Sequence, residues 1–192
     1  PFTNEPVNDF SDPADVAVMK EALESVRGDF GRSYPLIIGG RSVETAKKIR
    51  STNPADPEQL VGLVNSATKE EATQAIDAAA RAFESWRHVP MAERAGYLFK
   101  AAQCLRERRF RYDALLVYEV GKTWIEADAD IAEAIDFLEF YAREALRYAR
   151  PQPVVPLEGE RNELVYIPLG IGAIIPPWNF AAAIMVGMTS AA

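Results

Sequence analysis

The sequence predicts an α/β protein in which a layer of helices is built before the first strand, turn and helix of an open sheet. Two observations carry this. From Thr68 onward, apolar residues recur at helical spacing over about eighty residues. After the prolines Pro151 and Pro153 the pattern changes, and Gly170-Ile171-Gly172-Ala173-Ile174-Ile175 forms an unbroken apolar run of the kind found in strands buried on both faces. Helices followed by strand, turn and helix suit a layered α/β domain.

Each element has its own signal. Residues 12–30 read as a helix, with Asp12 as N-cap, Pro13 at the first helical position, Asp15 in the first turn and Val16, Met19, Leu23 and Val26 on one face. Gly28 or Gly31 ends it. Pro35-Leu36-Ile37-Ile38 and Leu60-Val61-Gly62-Leu63-Val64 read as short strands; Gly39-Gly40 follows the first, and the turn cluster Asn53-Pro54-Ala55-Asp56-Pro57 precedes the second. Thr68 with Glu71 forms a capping box, and Ala72, Ile76, Ala79, Phe83 and Trp86 share a face of the helix that Pro90 is expected to end. A second helix of this layer carries Ala95, Leu98, Ala102 and Leu105, and a third holds Leu115, Leu116 and Tyr118 before Gly121. A fourth runs from about Trp124 to Tyr148, with Ile131, Ile135, Leu138, Ala142 and Ala145 aligned. Glu163 to Leu169 alternates like an edge strand, since Pro168 cannot donate to a ladder. Pro176-Pro177-Trp178-Asn179-Phe180 then reads as a turn, and Ala181 onward as the start of a buried helix.

Composition narrows the function. The 192 residues are 48% hydrophobic and 26% charged, which excludes an intrinsically disordered chain. With 21 basic against 28 acidic residues and a net charge of −7, no global electrostatic grip on nucleic acid is expected. A single cysteine, Cys104, forbids an intrachain disulfide, and with one histidine, His88, most Cys/His metal sites fall away. No apolar run reaches the roughly 18 residues of a membrane span, and no basic stretch leads into an apolar one near Phe2 as in a signal peptide. A reducing cytoplasm is the expected setting. A start without Met and an end inside Thr189-Ser190-Ala191-Ala192 lead us to expect a piece of a longer polypeptide.

The stretch from Gly170 to Ile184 is the most informative chemically. Ligands of open α/β sheets bind beyond the carboxyl ends of strands, which puts Trp178 and Asn179 at the lip of a crevice. The Asn179 amide can donate to an oxyanion developing in acyl transfer; equally, Asn179 can cap the following helix. Gly170-x-Gly172 precedes its strand and so is not a dinucleotide fingerprint. Glu119, beside the helix-ending Gly121, either orients a cationic group or lies on the surface. Glu126, Asp130 and Glu133 share a helical face and read as a solvated acidic surface rather than a metal cluster. Cys104 reads as a packing thiol without an activating neighbour, and His88 as a surface residue at a helix end.

Ile174-Ile175-Pro176-Pro177-Trp178-Asn179-Phe180 resembles the Pro-Trp-Asn motif of the aldehyde dehydrogenase superfamily. Gly39-Gly40, Asn53-Pro54, Phe83 with Trp86, Arg94 and Glu119-x-Gly121-Lys122 fall in the order that superfamily has. Within it, Tyr118 to Trp124, Ala134 to Ala142 and Phe2-Thr3-Asn4-Glu5-Pro6 are similar to the Δ1-pyrroline-5-carboxylate dehydrogenase branch. The resemblance implies that Asn179 donates to the oxyanion of a thiohemiacetal. It implies that Ile175, Pro176, Pro177 and Trp178 line the nicotinamide side of NAD, and that Phe180 and Glu119 shape a pocket for glutamate semialdehyde. Many members have Pro where this chain has Ala181, which changes the stiffness of the helix entry. The family's Cys nucleophile, Glu base and ribose-binding Lys follow this motif and are not among the 192 residues.

Residues 1–192 are therefore expected to be the N-terminal part of a Rossmann-like NAD-binding domain, incomplete, with about 150–167 contributing to an oligomerisation arm and the catalytic domain absent. The implied parent is a cytoplasmic homo-oligomer that oxidises a small-molecule aldehyde, L-glutamate γ-semialdehyde, to L-glutamate; the 192 residues alone are expected to be inactive. Two alternatives stand beside it: another NAD(P)-dependent aldehyde dehydrogenase, and a non-catalytic helical interaction module.

Overall fold

A computed structural model describes residues 2–192. The chain opens with an extended segment and then α1 (Pro13–Arg27), whose first turn is closed as expected: Asp12 Oδ1 accepts from the Ala14 amide at 2.8 Å and Pro13 occupies the first helical position. Five strands follow: β1 (Arg32–Tyr34), β2 (Leu36–Ile38), β3 (Arg41–Val43), β4 (Lys48–Asn53) and β5 (Asp56–Asn65). β1 runs parallel to β5, and β4 pairs antiparallel with β5 on its other side, giving the order β1-β5-β4. β2 and β3 form a separate hairpin, with Leu36 opposite Val43. Its two-residue turn, Gly39-Gly40, has φ of +56° and +76°, a backbone that residues with a Cβ rarely adopt.

Five helices complete the molecule: α2 (Lys69–Trp86), α3 (Met91–Glu107), α4 (Arg109–Val120), α5 (Trp124–Tyr148) and α6 (Ala183–Ala191). The core is organised around α5. Its Ala127, Ile131, Ile135 and Leu138 pack with Ala102 of α3 and Leu116 of α4, and α6 lies on the same helix with Ala181, Ala182 and Val186 against the cluster. A second cluster joins Met19 and Val26 of α1 to Ala114 of α4. Edge-to-face contacts of Phe10 with Trp124 and Phe30 with Tyr118, centroids 5.6 and 5.0 Å apart, seal it.

Several expectations change. The alternating run Glu163–Leu169 and the apolar run 170–175 form no strand; residues 151–177 form neither helix nor strand, turn at 158–159, and are largely exposed. A doubly buried strand needs a ladder on each edge, and none of the five strands lies alongside it. Conversely β1, β3 and β4 form without a clear apolar alternation, held by pairing to β5 and β2. The capping box of Thr68 and Glu71 is present, yet α2 buries no residue fully and Ile76 stays 59% exposed. That helix ends at Trp86 rather than at Pro90, which instead immediately precedes α3. Arg94 bridges the joint: its Nη2 donates to the Trp86 carbonyl at 2.7 Å, its Nε donates to the Val89 carbonyl at 3.1 Å, and its guanidinium lies 5.2 Å from the Trp86 ring centroid. Cys104, expected as a packing thiol, lies on the exposed side of α3, away from buried Ala95 and Ala102.

Candidate active-site turn

The site begins at the joint between α4 and α5. Gly121 ends α4 with φ +74°, and the Gly121 and Lys122 amides donate back to the Val117 and Leu116 carbonyls at 3.2 and 3.5 Å, a Schellman-type close. Thr123 then starts α5 with a capping box: its Oγ1 accepts from the Glu126 amide at 3.3 Å, while the Glu126 carboxylate accepts from the Thr123 amide at 3.1 Å. The Thr123 amide, and the Thr123 hydroxyl donating to Glu126 Oε2 at 2.9 Å, lower the Glu126 carboxyl from its ordinary value. Lys122 is thus fixed in a corner only two residues from each helix.

Three sequence motifs meet there. A Cβ on Gly121 would lie 3.5 Å from Pro54 Cγ, so the Asn53-Pro54 turn rests on the end of α4. Asn53 stiffens that turn by accepting from the Ala55 amide at 2.9 Å. One strand residue away, Ser51 donates to Glu119 Oε1 at 2.7 Å. Glu119 is therefore half-buried and hydrogen-bonded, rather than a free surface charge.

Lys122 reaches along α5 to Asp130, with Nζ 2.7 Å from Oδ2. Asp130 is fully buried, so the solvated acidic face expected for Glu126, Asp130 and Glu133 holds only for the first and last. The other oxygen of Asp130, Oδ1, accepts from the Ala183 amide at 2.7 Å. This carboxylate caps α6 from a different helix, since Ala182 at the N-cap position has no side-chain acceptor. Lys122 Nζ also stands 4.3 Å from the centroid of the Phe180 ring.

Asn179 is thereby relieved of the capping role. It sits on the exposed turn before α6, four residues ahead of Ala183, the first residue of that helix, and α6 is capped without it. The remaining candidates are contiguous with it: Ile175 is 82% exposed, Trp178 84% and Phe180 40%, with Pro176 and Pro177 between. The crevice expected around Trp178 and Asn179 does not close within the described residues, because the run 170–175 expected to wall it forms no strand. Of the substrate-side candidates, Phe180 and the Glu119 end of α4 are brought to the same corner through Lys122, which sequence reasoning did not single out. One signal was present: Asp130 falls within the spacing of Ala127, Ile131 and Ala134, all buried.

A second buried charge network lies nearer the N-terminus. Arg109 pairs with Asp128, Nη2 to Oδ2 at 2.7 Å, and donates from Nη1 to the Pro6 carbonyl at 2.6 Å. Asp128 also accepts from the backbone and side-chain amides of Asn8 at 2.8 and 2.7 Å, while Asp136 accepts from Asn4 Nδ2 and the Glu5 amide at 2.7 and 2.6 Å. Asp113 is buried beside this network with neither carboxyl oxygen partnered, and burial, then the charge of Asp128, pushes its carboxyl up to about 8.

Residues 41–192 match the Aldehyde dehydrogenase family. The 1-pyrroline-5-carboxylate dehydrogenase 2 of Bacillus subtilis is 52% identical over 191 residues, covering 100% of this chain and 37% of that protein. A mutant of 1-pyrroline-5-carboxylate dehydrogenase from Thermus thermophilus superposes with a TM-score of 0.94 at 49% identity, over 100% of this chain and 38% of that one. The Thermus enzyme with bound NAD gives 0.94 at 48% identity, again over 100% and 38%. The chain thus spans little more than a third of the length of these relatives, whose fold it shares over its entire described length. On the match of residues 41–192, which takes in the Gly121-Lys122 corner and the Asn179 turn alike, the chain belongs to the aldehyde dehydrogenase family.

Proposed function

We propose that this chain is the N-terminal part of an NAD-dependent dehydrogenase that oxidises L-glutamate γ-semialdehyde to L-glutamate, and that Asn179 is its oxyanion donor. The observation that carries the reading is the release of Asn179 from helix capping by Asp130, which leaves its amide on an exposed turn with two N–H donors to offer. The relatives named as 1-pyrroline-5-carboxylate dehydrogenases, at about half identity over the whole chain, support the substrate.

In this reading Asn179 donates to the aldehyde oxygen as negative charge develops on it, an interaction that strengthens toward the transition state. Phe180 and Glu119 shape the substrate side, Glu119 being held in place by Ser51. Ile175, Pro176, Pro177 and Trp178 present an uncharged, extended strip, and that chemistry fits one wall of a nicotinamide site. NAD, when bound there, accepts the hydride. The nucleophilic thiol belongs to the further length that the relatives have, because Cys104 lies on α3 rather than at this turn. The exposed segment around 150–167, with Val155, Leu157 and Val165 in solvent, serves in this reading as an arm between subunits of a homo-oligomer. The single thiol and the net charge of −7 support a reducing cytoplasm and a small-molecule substrate rather than nucleic acid.

The test is kinetic. In the complete polypeptide, Asn179→Ala is expected to lower kcat for glutamate semialdehyde by about 100- to 1,000-fold, the usual loss for one oxyanion donor, with NAD affinity unchanged. NADH absorbance reports the rate. A variant with near-normal kcat and a lowered melting temperature would return Asn179 to a structural role.

A further inference from the structure

Among the described residues, Asp130 is the one carboxylate that hydrogen-bonds both the α4–α5 corner and the start of α6. Its Oδ2 holds Lys122 Nζ and its Oδ1 holds the Ala183 amide, each at 2.7 Å, with the carboxylate fully buried. The lysine in turn places its ammonium 4.3 Å from the Phe180 ring centroid, one residue beyond Asn179. Trp178 and Asn179 are exposed, and the segment before them pairs with no strand. The Phe180 carbonyl accepts from the Ile184 amide at 3.2 Å and Ala181 and Ala182 pack on the core; two side-chain contacts add to these, the carboxylate on the Ala183 amide and the ammonium on the Phe180 face, and both belong to the same ion pair.

We propose that Lys122 and Asp130 are positioning residues that set the Asn179 amide by holding the chain that follows it at two points, Phe180 and Ala183. The proposal rests on the reading of Asn179 given above. Neither residue touches the reacting atoms; they act through Phe180 and through the first amide of α6. A buried charge pair suits this task better than an apolar contact, because its hydrogen bonds fix direction as well as distance. A displacement of about 1 Å at a reacting centre is enough to cost roughly 100-fold in rate.

The substitutions separate the two anchors. Asp130→Asn keeps an oxygen for the Ala183 amide and removes the charge that holds Lys122; Lys122→Met removes the ammonium from Phe180; Lys122→Arg keeps a cation for both partners. In the complete polypeptide, Lys122→Met and Asp130→Asn are expected to lower kcat roughly 10- to 100-fold while KM for NAD changes less than about twofold, and Lys122→Arg to recover most of the loss. Unchanged kcat in Lys122→Met, alongside a large loss in Asn179→Ala, would overturn the positioning role and leave the oxyanion reading standing. Unchanged kcat in both would overturn both. Equal losses in Lys122→Met and Lys122→Arg that follow the melting temperature would show a purely structural pair, which also overturns the proposal.

Discussion

Asp113 shows how a single buried acid ties stability to pH. Its oxygens have no partner, Asp128 and Asp130 face it with negative charge, and Arg109 compensates only in part, so the folded state holds a proton with a pKa of about 8 against an ordinary 3.8. A folded-state pKa above the unfolded one means that the folded protein binds the extra proton between these values. Stability is then expected to fall as pH rises from about 4 to about 8, by on the order of 1 kcal/mol per pH unit, and to level off above. Asp113→Asn should remove this slope, and urea midpoints at pH 5, 7 and 9 are expected to show the variant gaining on the parent as pH rises. A constant difference across the series would remove Asp113 as the cause. Such acids were illegible in sequence for a physical reason. Asp113, Asp128 and Asp130 have the composition of a solvated helix face; Arg109 makes the burial of Asp128 tolerable, Lys122 and the α6 amide that of Asp130, and Asp113 is accommodated by holding its proton.

At the scale of elements, the helices were legible because their ends are written locally. Asp12-Pro13 and Thr68 with Glu71 mark starts by hydrogen bonds within a few residues, and Ile131, Ile135 and Leu138 mark a buried face by spacing alone. Strands depend on remote partners. Arg32-Ser33-Tyr34 therefore pairs with Gly62-Leu63-Val64 without any periodic signal, while the apolar run 170–175 has the signal and no partner. Of the site, the Asn179 turn was legible as a motif and its clamp was not, since Lys122 and Asp130 are ordinary residues until α6 is placed. Two glycines give a matched test of helix packing. On Gly187 of α6 a Cβ would lie 2.7 Å from Phe137 Cδ2 of α5, whereas on Gly96 of α3 it meets nothing within 4 Å. Gly96→Ala is expected to stabilise by about 0.5–1 kcal/mol through backbone entropy. Gly187→Ala gains the same term but overpacks an aromatic ring, a cost of about 1–3 kcal/mol that wins. Denaturant melts of the two variants should move in opposite directions.

At the scale of the whole molecule, the apolar surface is distributed unevenly. Ile76 and Trp86 on α2 and the run from Val154 to Ile175 carry large exposed apolar side chains, while the two core clusters lie on the faces of α1, α3, α4, α5 and α6. Contiguous exposed patches beyond a few hundred Å² drive association. The 192-residue chain by itself is therefore expected to self-associate and to bind a hydrophobic dye. Light scattering that finds a monodisperse monomer without dye binding would show that these faces are satisfied within the chain. The opposite end behaves differently. Asn4, Glu5, Pro6 and Asn8 are held by Asp136, Arg106, Arg109 and Asp128, residues more than a hundred positions away. These residues are synthesised a hundred positions and more before their partners, and so are among the last to find them. Until α4 and α5 have been synthesised and docked, the leading segment has nothing to grip. Its engagement is a latch that closes on a finished helical layer, and the buried charges of that layer stay open to water until it does.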